Sequence, residues 1–135
     1  MTLPRYAWVT FGIVFALGCS DDHDEHGTEA DHQLVGAECS TEKDCELPDD
    51  GVTKECLVEF KGGYCGVSAC ERNEECPAGS ACVTYERKTY CFRTCETKDE
   101  CNVHRGKDTE ANCSSSIEFT SGNKEGKVCL PPSGS

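Results

Sequence analysis

The sequence predicts a small disulfide-rich fold of three tandem four-cysteine units, each a short helical turn plus a β-hairpin, with little hydrophobic core. Three observations predict it. Twelve of the thirteen cysteines lie after residue 38, and their spacing recurs. In residues 20–135, Leu, Ile, Val and Phe together number 15 of 116, or about 13%. That share, with a formal net charge of −12 over the chain, ordinarily marks a sequence that stays disordered. Ordering costs about 1.5 kcal/mol per residue, and so few apolar groups do not offset it. Cross-links are the remaining means. Closing a loop of about 15 residues contributes roughly 3 kcal/mol in the chain-entropy model, and small secreted chains use such staples in place of a core.

The N-terminus is read first. Residues 1–18, "MTLPRYAWVTFGIVFALG", have a positive start at Arg5, an apolar run from Tyr6 to Leu17, and no acid before Asp21. This is the layout of a secretory signal peptide, and the run is short for a bilayer span, which takes about 20 residues. "ALG" before Cys19 resembles a bacterial lipobox, although Ala16 stands where leucine is usual. That resemblance implies cleavage before Cys19 and lipidation of its sulfur. Ala16 and Gly18 also fit ordinary signal-peptidase cleavage, which would release a soluble secreted protein. Parity favours the lipid. Thirteen cysteines leave one over, and lipidation of Cys19 leaves twelve that can pair. No cofactor is expected beyond this covalent lipid. The expected location is the cell envelope, lipid-anchored and on the outer membrane, with plain secretion as the alternative.

Residues 19–37 follow as the lipidated cysteine and an acidic, histidine-rich tether, "SDDHDEHGTEADHQLVGA" after Cys19. Self-repulsion suits a solvated spacer. His23, His26 and His32 among these acids also suit capture of Zn²⁺, Ni²⁺ or Cu²⁺. The ligand spacing does not match a calcium loop, since Gln33 stands where a glutamate is needed.

A cysteine-rich domain is expected over residues 38–130, with units at 39–65, 70–91 and 95–129 and a disordered tail at 131–135. The first interval of each unit is five charged or polar residues: "STEKD", "ERNEE" and "ETKDE". Thr41 and Thr97 near its start, with acids after them, suit one helical turn. Hairpins are expected next. "ECLVEF-KGG-YCG" and "CVTY-ER-KTYCF" place β-branched and aromatic residues on either side of a turn, and "SSSIEFT-SGNKEG-KVCL" is a longer version. An isolated hairpin is marginal in water. Bonding the first cysteine to the third and the second to the fourth would staple turn to hairpin. This gives Cys39–Cys56, Cys45–Cys65, Cys70–Cys82, Cys76–Cys91, Cys95–Cys113 and Cys101–Cys129. Bonding the third to the fourth across each hairpin, as Cys82 to Cys91, is the alternative. Four cysteines allow three connectivities, and the sequence does not choose among them. The units are expected to lie in an elongated row.

The acid before the second cysteine, "CPAGSAC" and the closing "YC" resemble the short cysteine-rich repeat of Dickkopf N-terminal-like modules. Similar repeats occur in lipoproteins of myxobacterial type. The resemblance covers Cys39 to Cys129 and is best in the middle unit, Cys70 to Cys91. It implies a small, disulfide-bonded, non-enzymatic extracellular module.

Composition and spacing narrow the function. The acidic balance speaks against nucleic acid, which asks for a basic patch. Structural zinc sites favour cysteines two to four residues apart, whereas the spacings inside these units are five and above. The one histidine after residue 38, His104, sits beside Arg105 and Lys107 and reads as a solvated loop residue rather than the base for Ser114, Ser115 or Ser116. No catalytic residue is assigned, and the protein is not expected to be an enzyme. Recognition remains, with an unknown protein or glycan partner and the membrane met through the lipid. The inserted loops Glu46 to Glu55 and Ser114 to Val128 are candidate contact elements. Phe60, Tyr64, Tyr85, Tyr90, Phe92 and Phe119 are read either as exposed anchors or as the cover of the disulfides. Metal capture by the tether and a protease-inhibitor-like secreted module are the alternatives.

Overall fold

A computed structural model describes residues 28–48, 51–121 and 126–134. Cys19, His23, His26 and the signal segment lie outside the described residues.

Short helical turns open each cysteine group, and one device forms them all. The carboxylate just before the second cysteine accepts the backbone N–H of the residue just after the first. Asp44 takes Ser40 N–H at 2.8 Å, Glu75 takes Glu71 N–H at 2.8 Å, and Glu100 takes Glu96 N–H at 2.9 Å. Each bond satisfies a donor that a helical start leaves open. The result is a 3₁₀ turn at Glu42–Cys45, another at Asn73–Glu75, and the α-helical turn α2 at Lys98–Cys101. The backbone N–H groups of Ser40 and Glu71 hold the Asp44 and Glu75 carboxyls below their ordinary range.

Strands follow each turn. β1 (Glu55–Cys56) pairs with β2 (Cys65–Ser68), β3 (Ser80–Tyr85) with β4 (Lys88–Arg93), and β5 (Asn112–Ser114) with β7 (Val128–Leu130), all antiparallel. The β3–β4 turn is Glu86–Arg87, both at positive φ (48° and 69°), as a two-residue hairpin loop requires. The third group departs from the expected long hairpin. β6 (Glu118–Phe119) does not pair with β7; it crosses to β3, setting Phe119 opposite Val83. This places Phe119 against the central apolar cluster.

Six disulfides join Cys39–Cys56, Cys45–Cys65, Cys70–Cys82, Cys76–Cys91, Cys95–Cys113 and Cys101–Cys129. The register shows why the alternative pairing was plausible. Cys56 lies opposite Cys65, Cys82 opposite Cys91, and Cys113 opposite Cys129. Each facing pair instead reaches to its own helical turn, so two bonds fix turn and hairpin together. Gly63 makes room for one of them. A Cβ there would stand 2.1 Å from the Cys39 carbonyl oxygen and 2.8 Å from its sulfur.

The groups do not form a row of separate beads. The strand order β1-β2-β4-β3-β6 makes one sheet from all three, and β5-β7 makes a second. An apolar core lies across them. Leu57, Phe60 and Tyr64 meet Val83, Tyr90, Phe92 and Val128, with Tyr85, Ile117, Phe119 and Leu130 packed at its margin. Phe60 makes edge contacts with Tyr64, Tyr90 and Phe92 at ring separations of 6.2, 5.3 and 5.6 Å. Fully burying such a side chain contributes about 1.5–3 kcal/mol. Phe60, Tyr64, Tyr90 and Phe92 are therefore core residues, not exposed anchors. Burial pushes the Tyr90 hydroxyl up to about 12, and its hydrogen bond to Glu59 (3.0 Å) adds to that.

Two boundaries differ from the sequence reading. Residues 28–37 are not a solvated spacer. Helical turn α1 (Glu29–His32) and the chain after it pack on the domain, with Val35 1% and Ala30 2% exposed. At the other end Pro131 is buried, Lys61 N–H donates to Pro132 O at 3.0 Å, and Ser133 bridges Phe60. Residues 131–134 are thus held by the first hairpin's loop. Its polar backbone has partners there that a free tail would lack.

Candidate functional site

The face around α1 gathers the polar chemistry of the domain. Asp31 accepts hydrogen bonds from Thr28, from its N–H at 2.7 Å and its hydroxyl at 2.9 Å, which closes the turn on itself. Its other oxygen pairs with Arg93 at the end of β4. Arg93 is 2% exposed and also donates to Thr28 Oγ1 at 3.0 Å. Its Nε has no hydrogen-bond partner among the described residues. Burial raises the Asp31 carboxyl, but the hydrogen bonds from Arg93 and Thr28 outweigh it, and the net direction is down. Close approach completes the joint. Gly79, at φ +75°, lies so near α1 that a Cβ would meet Ala30 N at 2.7 Å.

A second arginine holds the rest of this segment. Arg105 donates to four backbone carbonyls: Thr109 at 2.7 Å, Lys61 at 2.9 Å, and Gly36 and Gly63 at 3.0 Å each. Its guanidinium also lies 5.7 Å over the Tyr64 ring. A planar fork with five donors suits this task, and an ammonium does not. Gly36 N–H donates to Cys65 O at 2.9 Å, and Cys65 N–H to Ala37 O at 3.0 Å. Arg105 thus ties the N-terminal segment to the first and third groups. His104 beside it is exposed, with Nε2 3.8 Å from Asp31.

Beside α1 opens a groove of about 600 Å³. Ala30, Ala81 and Phe119 supply apolar lining, and Glu29, Glu96 and Lys127 supply charge. Phe119 and Lys127 come from the loop between Ser114 and Val128, so one of the two candidate loops borders the groove. None of the described residues of the other, from Glu46 to Glu55, lines it. The exposed apolar residues Val58 and Val103 stand singly, which is normal for a surface.

The metal expectation meets only His32 here. It is exposed at the end of α1. Among the described residues, the close groups of three ligand-type side chains are Cys39, Cys45, Cys65; Cys70, Cys76, Cys82; and Cys95, Cys101, Cys129. These sulfurs belong to the disulfides and offer no thiolate. His32 belongs to none of these groups.

Asp31, Arg93 and Arg105 were not singled out by sequence reading. Asp31 and Arg93 are 62 residues apart, so only the folded sheet brings them together. The one usable signal was Thr28 with Asp31 three residues later, a pattern that caps a helical turn. No helix among the described residues is long and apolar enough to cross a membrane. Comparison with protein-family models, curated proteins and solved structures gave no match.

Proposed function

We propose that the protein is a non-enzymatic, membrane-anchored surface lipoprotein whose three tandem four-cysteine units act as a binding or structural module. Cys19 carries the lipid in this reading, and the partner is a protein or glycan. The observation that carries it is the construction of the domain. Six disulfides and a small aromatic core hold a rigid frame, and the frame borders an open groove. Such frames suit recognition because little ordering remains to be done on binding. The signal-peptide layout of residues 1–18 and the odd cysteine count, with Cys19 left over, support an exported, anchored protein.

The test is an intact mass of protein purified from its own cells and alkylated without reduction. The expected mass is residues 19–135 plus acyl groups, with twelve hydrogens missing and no alkylation. A soluble chain with alkylated thiols would overturn the reading.

A further inference from the structure

We propose that the two disulfides of the third group form a thiol-exchange site. A small external thiol entering at Cys113 converts Cys95–Cys113 and Cys101–Cys129 into Cys95–Cys101 and Cys113–Cys129. The site does not involve Cys19.

The two bonds are packed on each other. The sulfurs of Cys95, Cys101 and Cys129 all lie within 4.8 Å of one another. Cys95 therefore stands beside both ends of the neighbouring Cys101–Cys129 bond. Cys113 and Cys129 face each other in the β5–β7 register. Opposite residues of antiparallel strands have Cα atoms about 4.5–5.5 Å apart, inside the roughly 4.4–6.8 Å that a disulfide spans. A Cys113–Cys129 bond thus fits the strands as they stand. Access differs among the four residues. Cys95, Cys101 and Cys129 are buried, whereas Cys113 is half-buried. Cys95 also lines the groove beside α1, the only cysteine among the described residues to do so. The Cys95–Cys113 bond is thus the outer of the two.

The turn stays in place while sulfurs exchange. Asn102, just after α2, donates to Ala111 O at 3.0 Å and accepts Ala111 N–H at 2.8 Å. Lys98 pairs with Glu110 at 2.6 Å. These contacts keep α2 beside β5 without a covalent link.

The chemistry balances without an oxidant. A thiolate attacks the Cys113 sulfur, and Cys95 leaves as a thiolate. Cys95 attacks Cys101, and Cys129 leaves. Cys129 attacks the mixed disulfide at Cys113 across the strands, and the external thiolate is returned. Each step breaks one S–S bond and forms one, so the thiol is a catalyst and nothing is oxidised overall. The product keeps β5 and β7 joined and frees the α2 turn from them. Glu96 and Glu100, which line the groove, lie on or beside that turn. Exchange therefore loosens one wall of the groove.

The experiment uses the full chain with its disulfides intact. Reduced glutathione is added, and thiols are blocked with N-ethylmaleimide after increasing times. Trypsin cuts after Arg93, Lys98, Lys107 and Lys127, which leaves each of the four cysteines on its own peptide. Mass spectrometry without reduction reads the links. In untreated protein the Cys95 peptide is joined to that of Cys113, and Cys101 to Cys129. After glutathione, the expected new links are Cys95 to Cys101 and Cys113 to Cys129, with the glutathione adduct on Cys113. Unchanged links, or free thiols without the new links, overturn the proposal. An adduct on Cys95 in place of Cys113 overturns the entry point and with it the order of steps. New links forming equally in all three groups overturn the site in favour of general scrambling.

Discussion

The β3–β4 hairpin and the N-terminal strap, the packed segment of residues 28–38, are held in different ways, and the contrast explains much of this fold. The hairpin is covalently bound. Cys82 and Cys91 face each other across it and reach back to Cys70 and Cys76 on its helical turn. The strap has no cross-link before Cys39. It is held by Asp31 on Arg93, Gly36 on Arg105, and close packing on Gly79. A stapled hairpin needs few apolar groups. A strap needs a finished surface, because its partners come from β4, from the loop before β3 and from the third group. The strap is therefore the more conditional element and the first expected to open.

Removing a staple gives the largest effect. Replacing Cys76 and Cys91 together by alanine is expected to cost about 2–5 kcal/mol. That lowers Tm by about 10 °C or more in a domain of this size, read by calorimetry. A change of only a few degrees would mean that the aromatic core, not the bond, holds β4.

The strap responds differently. Asp31→Ala removes the carboxylate from an arginine that is 2% exposed. Breaking a buried pair costs about 3–5 kcal/mol when the remaining charge stays buried. Here the strap can lift and let Arg93 reach water, so the expected loss in the hairpins is smaller. Hydrogen exchange at neutral pH should show Val35 and Gly36 losing protection while Val83 and Phe92 keep theirs. Equal loss in both would make strap and domain one cooperative unit. Acid tests the same pair. The Asp31 carboxyl is lowered on folding, so its stabilisation is present above its ordinary value near 3.8 and is lost as pH falls through the lower folded value. Strap amide shifts followed by NMR should change below pH 3.8, and Asp31→Asn should remove that transition.

The same contrast marks what was legible in the sequence. Cysteine spacing located the three helical turns and the first two hairpins but not the third, and "TYERKTY" showed the Glu86–Arg87 turn directly. These features are local, and the charged five-residue intervals carry their own capping acids in Asp44, Glu75 and Glu100. The strap was hidden because its composition is that of a spacer and its partners are far along the chain. Asp31 looks like one acid among many until Arg93 is beside it. β6 was misplaced for a related reason. Phe119 follows the β-pattern, but its partner Val83 was chosen by the shared core and not by the nearest strand. Of the candidate site, Phe119 and the loop around it were legible, whereas Arg93 and Arg105 were not.

A smaller effect is expected at Gly79. Alanine there must adopt φ +75° and place its Cβ 2.7 Å from Ala30 N. Strain of this kind costs about 1–3 kcal/mol. The strap can yield by moving away, so exchange at residues 30–36 should rise with little change in Tm. Gly51, also at positive φ (68°) but with open space around it, is the control. Gly51→Ala should leave the strap untouched.

The smallest structural effect is expected at His32, and there the metal reading separates from the strap. Its side chain is exposed, and replacement by alanine should change stability by less than about 0.5 kcal/mol. Metal capture by the segment needs several donors, since one exposed imidazole is a weak ligand set. Replacing His23, His26 and His32 together should then abolish zinc binding measured by calorimetry and leave Tm unchanged. Zinc binding that survives the triple replacement would remove these histidines from the account. Binding that is lost while exchange at Val35 stays slow would show that capture and docking share a segment without depending on each other.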